Sequence, residues 1–209
     1  MLHPDADILE VDVVTGRKTA LARVVTKALK ALEKAKIPHA VIGATALGVR
    51  GLPRMTRDLD VVVLTEDAYA ALDALVGAGF RSAAPIRRSE EPEPMYVLES
   101  KGGIDVDLLV AAGEPESTVV AEASEASVFG TSAPVATLEH LLLMYFYSNE
   151  PRHLGDFARV VTESEVNLEE VTGYLSEVHP EMLPVFQERV RQALHPPPPP
   201  PRPRKRRRS

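Results

Sequence analysis

HAVIGATALGVRGLPRMTRDLDVVVL, His39 to Leu64, is the stretch whose reading decides the fold. A short apolar run (Ala40, Val41, Ile42) enters a Gly43–Ala44 turn. A helix of small residues follows, then a Gly/Pro/Arg loop, then a second strand that opens Asp58-Leu59-Asp60. Side chains alternate faces along a strand, so Asp58 and Asp60 point the same way. Two carboxylates side by side repel each other, and the pair is costly unless a cation or a proton sits between them. Hard oxygen donors of this kind suit Mg²⁺, which takes one or two carboxylates together with phosphate oxygens of a substrate. The Gly43 turn leads into a helix whose first amides face an anion. A metal site and a phosphate site are thus expected in one unit.

The order of these features is more specific than any one of them. An apolar strand, Gly-[Gly/Ser/Ala], a short helix, then Arg-x-Thr-x-Asp-ϕ-Asp-ϕ-ϕ (ϕ apolar) resembles the DNA polymerase β-type nucleotidyltransferases. Here the matching positions are Gly43–Ala44, Arg54, Thr56, Asp58, Asp60 and Val61–Val63. Within that superfamily the chain looks closest to small bacterial abortive-infection and toxin–antitoxin nucleotidyltransferases. The resemblance covers most of residues 36 to 160.

A third carboxylate is sought further on. Met95–Glu99 and Gly103–Val110 read as a hairpin across Ser100-Lys101-Gly102, and its second strand carries Asp105 and Asp107 on one face. Buried strands rarely spend two acids on one face unless that face is paired or metal-bound. The family takes its third carboxylate from such a strand; Val106-Asp107-Leu108-Leu109 matches best, with Asp105 as the alternative. By resemblance, Asp58, Asp60 and Asp107 hold Mg²⁺ and are catalytic. Gly43, Ala44, Thr45, Arg54, Thr56 and Arg152 approach the phosphates of a nucleoside triphosphate. The implied reaction moves a nucleoside monophosphate to a hydroxyl on RNA, a protein or a small molecule. A cognate antitoxin is the implied partner. The alternative is a degenerate nucleotide-binding, regulatory or partner-binding module.

Composition bounds the rest. A chain of 209 residues with 44% apolar residues supports one domain of ordinary size with a helical extension. Without cysteine, disulfides and thiolate metal sites are excluded. No apolar run reaches the length of a membrane span, and the opening MLHPDADILEVDVV is acidic, without a basic region ahead of an apolar core. A cytoplasmic protein is expected. The last eight residues, RPRKRRRS, hold six of 24 cations; the 18 left face 30 acids, a net charge near −12. An acidic body does not advertise a broad nucleic-acid surface.

The expected architecture is α+β: a nucleotidyltransferase-like mixed sheet with packed helices over 1–135, a helical half over 136–194, and a disordered Pro-rich basic tail over 195–209. A short strand is read at Ile8–Val14 and a helix over Gly16–Ile37, with Lys18, Arg23, Lys27, Lys30, Lys34 and Lys36 on its outer face. Thr65 is read as the cap of a helix over 66–76, and Phe80–Pro94 as a long loop. A helix over 114–125 and one turn-rich strand over 128–135 follow. Helices are then read from Thr137 to Ser148 and over 152–162, 167–176 and 181–194.

Glu150-Pro151-Arg152-His153-Leu154-Gly155-Asp156-Phe157 resembles the family motif Arg-Pro-Lys-Asp-Leu-x-Asp-ϕ, with Arg152 for the Lys and His153 for the first Asp. Relatives also carry a Lys in the preceding helix, near Met144 or Tyr145. LLLMYFYS has none, which leaves Arg152 as the substitute cation.

Overall fold

The computed structural model describes residues 19–148 and 150–196. The strand read at Ile8–Val14 and the tail from residue 197 lie outside them. Within them the expected α+β architecture is present. A seven-stranded mixed sheet carries helices packed against it, and four further helices close the described chain.

Helix α1 (Ala20–Lys34) starts where Thr19 accepts a hydrogen bond from the Ala22 amide at 3.2 Å. Leu21, Val25, Ala28, Leu29 and Leu32 are its buried stripe, spaced by three and four residues. It is shorter than the 16–37 expected. Lys36 turns into the left-handed region at φ 58°, and Pro38 cannot continue a helix. Of the expected basic face, Lys18 lies outside the described residues; Lys27, Lys30, Lys34 and Lys36 are exposed, with the Lys27 ammonium 5.2 Å over the Phe80 ring.

The central unit then forms as read: β1 (His39–Val41), α2 (Gly43–Val49) and β2 (Asp58–Leu64). Strands β1 and β2 are antiparallel, with Val41 opposite Val61. After a 3₁₀ turn at Thr65–Asp67 comes α3 (Ala68–Gly77), which packs on α1. Thr65 does not cap this helix. Its hydroxyl donates to the Ala111 carbonyl at 2.5 Å, because the ends of neighbouring strands meet there.

The outer sheet comprises β3 (Arg81–Ser82), β4 (Met95–Glu99) and β5 (Asp105–Ala111). The hairpin β4–β5 turns through residues 100–104, where Ser100 Oγ accepts from the Gly102 and Ile104 amides. The loop between β3 and β4 is held by surface pairs. Ser89 N–H donates to the Tyr69 hydroxyl, and Arg88 pairs with Asp73. The chain then crosses through α4 (Glu116–Glu122) to the far edge. There the expected single strand is a hairpin, β6 (Ser124–Val128) and β7 (Thr131–Val135), turning at Phe129 (φ 48°) and Gly130 (φ 79°). Two left-handed residues in succession make the tight turn that reverses a strand.

Strand order is β3-β4-β5-β2-β1-β7-β6, with β2–β5 and β1–β7 parallel and the other pairs antiparallel. Arg50, just past α2, fastens the end of β7 by donating to the Ala136 carbonyl at 2.9 Å and the Val135 carbonyl at 2.7 Å.

The remaining helices are α5 (Leu138–Tyr147), α6 (Pro151–Glu163), α7 (Leu168–Val178) and α8 (Leu183–Leu194). Thr137 caps α5 through the His140 amide, and Asn167 caps α7 through the Glu170 amide. Phe146, Phe157 and Phe186 join α5, α6 and α8, with ring centroids 5.2 to 6.5 Å apart. This aromatic knot fixes how α5 and α6 approach the sheet. No helix among the described residues is long and apolar enough to cross a membrane.

Candidate functional site

The site begins with register. Strands β2 and β5 lie side by side and parallel, with Asp58 opposite Asp105 and Asp60 opposite Asp107. Leu59, Val106 and Leu108, on the alternate positions, are fully buried. The four aspartates therefore share the other face at the starts of two neighbouring strands. Carboxylate oxygens of Asp58, Asp60 and Asp107 lie within 4.8 Å of one another, and each of these residues is half-buried. Asp105 is outside that group.

Such crowding has an electrostatic cost. Burial, followed by the charges of Asp58 and Asp107, pushes the Asp60 carboxyl up to about 7. Arg152 and Arg54 pull the other way without cancelling it. Burial also raises Asp107, helped by Asp58 and Asp105. Three acid oxygens that gain by sharing a positive charge form a donor set that fits a hard divalent cation.

Gly43 explains how the backbone comes so near. It has φ +64°, and a Cβ built on it would lie 2.6 Å from Asp60 Cγ and 2.9 Å from Asp60 Cβ. Only a residue without a side chain passes here. Thr56 donates its hydroxyl to Asp58 Oδ1 and so orients the first carboxylate. Arg54 Nε donates to Asp156 Oδ2 at 3.0 Å, and Asp156 is 4% exposed. This pair clamps the loop between α2 and β2 onto α6.

A cavity of about 310 Å³ opens above the acids. Gly43, Arg54, Asp60, Asp107 and Arg152 all line it, with Met95, Glu116, Tyr145, Ser148, Glu150 and His153 supplied by β4, α4, α5 and the start of α6. Of the residues singled out from sequence, Asp58 and the Thr56 bonded to it are not on that lining, and Ala44 and Thr45 stand apart. Both are buried in α2, and the Thr45 hydroxyl has no hydrogen-bond partner. Arg152 is half exposed, its Nε 2.7 Å from Glu150 Oε2. His153 Nδ1 is 2.6 Å from Ser148 Oγ, and its ring lies 5.0 Å from that of Tyr145.

Glu116 and Ser148 were not legible as wall residues. Glu116 read as part of an ordinary amphipathic helix and Ser148 as a helix end. The only sequence signal near them is the Glu150–Phe157 motif two residues beyond Ser148.

No family model matches the chain, and no curated protein matches it. Solved structures do. A Thermotoga maritima protein described as a candidate nucleotidyltransferase superposes with a TM-score of 0.50 at 19% identity, over 75% of this chain and 93% of that one. The antibiotic-resistance factor ANT(2'')-Ia gives 0.48 at 19% identity, over 85% and 95%. The lincosamide antibiotic adenylyltransferase LnuA gives 0.48 at 13% identity, over 68% and 97%. At such identities the likeness is one of fold. The Thermotoga maritima structure carries it: this chain has a nucleotidyltransferase-like fold.

Proposed function

We propose that this protein is a metal-dependent nucleotidyltransferase, moving a nucleoside monophosphate from a nucleoside triphosphate to an acceptor hydroxyl. The observation that carries the reading is the meeting of the Asp58, Asp60 and Asp107 carboxylates within 4.8 Å, with Asp60 and Asp107 on the wall of a cavity that also holds Arg54 and Arg152. Acids alone would repel a polyphosphate. Acids that share a cation, flanked by two guanidinium groups, attract one.

Asp58, Asp60 and Asp107 would hold the cation, with Mg²⁺ the best match to an all-oxygen donor set. When bound, it neutralises phosphate charge and favours in-line displacement at phosphorus. The chain's own residues do the positioning that phosphoryl transfer mainly demands. Thr56 holds Asp58 in one rotamer, Gly43 leaves room for Asp60, and Asp156 presents Arg54 to the cavity. Arg152, also on the cavity wall, supplies a second positive charge at the position where the motif that its segment resembles has Lys. In this reading residues 1–135 carry the nucleotidyltransferase-like unit, and the helices of 136–194 wall its cleft.

The test is calorimetric titration of each of the four nucleoside triphosphates, with and without Mg²⁺, into wild type and an Asp58→Ala/Asp60→Ala variant. Mg²⁺-dependent binding that disappears in the variant supports the reading; no binding by wild type sinks it. Transfer of labelled nucleotide to RNA, to protein or to small-molecule hydroxyls then identifies the acceptor. Binding without transfer to any of these would mark a nucleotide-binding module instead. Co-purification of a second small protein with the full chain would place it in a toxin–antitoxin pair.

A further inference from the structure

The charge of this acidic chain is unevenly placed. Of the 18 cations and 30 acids ahead of the last eight residues, residues 20–36 hold five and one. Arg23, Lys27, Lys30 and Lys34 follow one another along α1 at steps of four, three and four residues, so they share one face. All four are exposed, and at a rise of about 1.5 Å per residue the row is about 16 Å long. Among the described residues no carboxylate pairs with Lys27, Lys30, Lys34 or Lys101.

A cavity of about 330 Å³ lies at the start of this row. Arg23 and Lys27 line it together with Gly79, Phe80 and the turn Ser100-Lys101-Gly102 between β4 and β5; no carboxylate among the described residues does. The Lys27 ammonium stands 5.2 Å over the Phe80 ring, and a Cβ built on Gly79 (φ +92°) would lie 3.4 Å from it. One cation is thus seated on a ring, and Lys101 adds another from the hairpin turn.

The same turn leads into Asp105, whose amide donates to the Arg57 carbonyl at 3.3 Å, one residue before Asp58. The basic cavity and the aspartates therefore lie at one end of the sheet. From there α1 runs toward the other end, where His39 pairs with Val63.

The row fits one class of partner. The apolar stripe of α1 is buried in the core, so the helix has no face to lay in a bilayer. Cations repeated every few ångström along a line suit a chain that carries one negative charge per unit, as a nucleic-acid backbone does. RNA, unlike DNA, also offers a hydroxyl on every sugar.

Resting on the nucleotidyltransferase reading, we propose that the α1 row and the cavity at its start bind the backbone phosphates of an RNA strand, and that this strand carries the acceptor hydroxyl. Lys27, Lys30 and Lys101 hold the strand, and its free end rounds the end of the sheet to reach the aspartates. In the transfer, the O–H bond of a strand hydroxyl breaks and one proton is released. The oxygen bonds to the α-phosphorus, and pyrophosphate leaves with the electron pair of the broken α–β bridging bond.

The first readout is binding of a fluorescent single-stranded RNA of mixed sequence to the full chain, without nucleotide or metal, over a range of salt concentrations. Wild type is compared with Lys27→Gln/Lys30→Gln/Lys101→Gln and with a full-length variant whose six cations in residues 202–208 are changed to Gln. The triple variant should bind about tenfold more weakly or worse. Its slope against log salt should be shallower by about 2, the loss of three phosphate contacts. The same loss should appear when the triple change is made in the tail-neutralised chain. Binding that survives the triple change and vanishes only with the tail overturns the proposal. Displacement of the RNA by polyglutamate as readily as by unlabelled RNA also overturns it.

Wild type alone gives a second readout. RNA should shield the Lys27 and Lys101 amines from acetylation, read by mass spectrometry; equal acetylation with and without RNA overturns the proposal. Labelling reads the acceptor role. Transfer from Mg²⁺·ATP to RNA should fall about tenfold in the triple variant while its Mg²⁺·ATP affinity stays within about twofold of wild type, and undiminished transfer overturns that role. Wild type that binds RNA but no triphosphate sinks the nucleotidyltransferase reading and leaves the docking row standing.

Discussion

Gly43 and Asp60 approach so closely that a methyl group on residue 43 would fall 2.6 Å from the Asp60 carboxyl carbon. The contact joins the turn after β1 to the acid on β2, and it is available only to glycine at φ +64°. Gly43→Ala would force both a left-handed alanine and a displaced Asp60, since the clash reaches Asp60 Cβ as well as the flexible oxygens. We expect a loss of about 1–3 kcal/mol by urea denaturation. Mg²⁺·nucleotide binding should be lost beyond what the stability change explains. Full binding in a folded Gly43→Ala protein would mean that Asp60 tolerates relocation.

The raised Asp60 carboxyl predicts a conflict between stability and ligand binding. Its ordinary value is 3.8 and its folded value about 7, so between those pH values the folded chain holds a proton that the unfolded chain has released. That contribution to stability therefore falls as pH rises through this window. Asp60→Asn should be more stable than wild type at pH 8, by about 2–4 kcal/mol as an upper range. It should also fail to bind Mg²⁺. In wild type, Mg²⁺ should bind more tightly as pH rises through 7 and release protons at pH 7. Titrations in buffers of differing ionisation enthalpy read that proton count. A pH-independent affinity would show that Asp60 is already ionised.

How much of this was open to sequence reasoning depends on whether a contact is local. The turn at Gly43 and the pairing of Asp58 with Asp60 follow from alternation within one stretch. The choice of Asp107 over Asp105 does not, because it needs the register of β5 against β2 across more than forty residues. Thr65 illustrates the same limit: its sequence neighbours recommend a cap, while its hydroxyl serves Ala111 on the adjacent strand. The β6–β7 reversal was missed although Gly130 marked it, since Phe129 is an unusual residue for φ 48°. On the cavity wall, only the Glu150–Phe157 segment carried a pattern. Glu116, Ser148 and Tyr145 arrive by packing of α4 and α5, which no local pattern encodes.

His39 predicts an acid weakness away from the candidate site. Its Nδ1–H donates to the Ile37 carbonyl at 2.8 Å, which leaves Nε2 an unpartnered lone pair in the interior. Burial lowers its affinity for a proton, more than Glu125 and Glu33 restore it. The unfolded chain therefore takes up a proton below 6.5 while the folded chain resists. This part of the stability is present above 6.5 and is lost as pH falls toward the lower folded value. Asp60 acts in the opposite sense over the same range, so the comparison must be made between variants. On lowering the pH from 7.5 to 5.5, the urea midpoint of His39→Leu should move upward relative to the change seen in wild type. An equal difference would assign the acid weakness to other groups.

Arg54 and Asp156 join the loop before β2 to α6 through a 3.0 Å ion pair whose aspartate is 5% exposed and whose arginine is 24% exposed. The pair does two jobs that removing either side chain cannot separate. It anchors the loop that ends in Thr56 and Asp58, and it holds Arg54 at the cavity. Asp156→Ala leaves a partly buried guanidinium without its partner and should cost about 1–3 kcal/mol. Arg54→Ala strands the more deeply buried charge and should cost at least as much. The double variant should recover part of either loss, since neither charge is then left alone. Nucleotide affinity divides the two roles. If Arg54 meets phosphate, Arg54→Lys with Asp156 intact should keep the fold and weaken Mg²⁺·ATP binding about tenfold, because an ammonium cannot donate to Asp156 and to phosphate in the geometry of a guanidinium. Equal affinity in Arg54→Lys would leave the pair with anchoring alone and make Arg152 the cation that meets the polyphosphate.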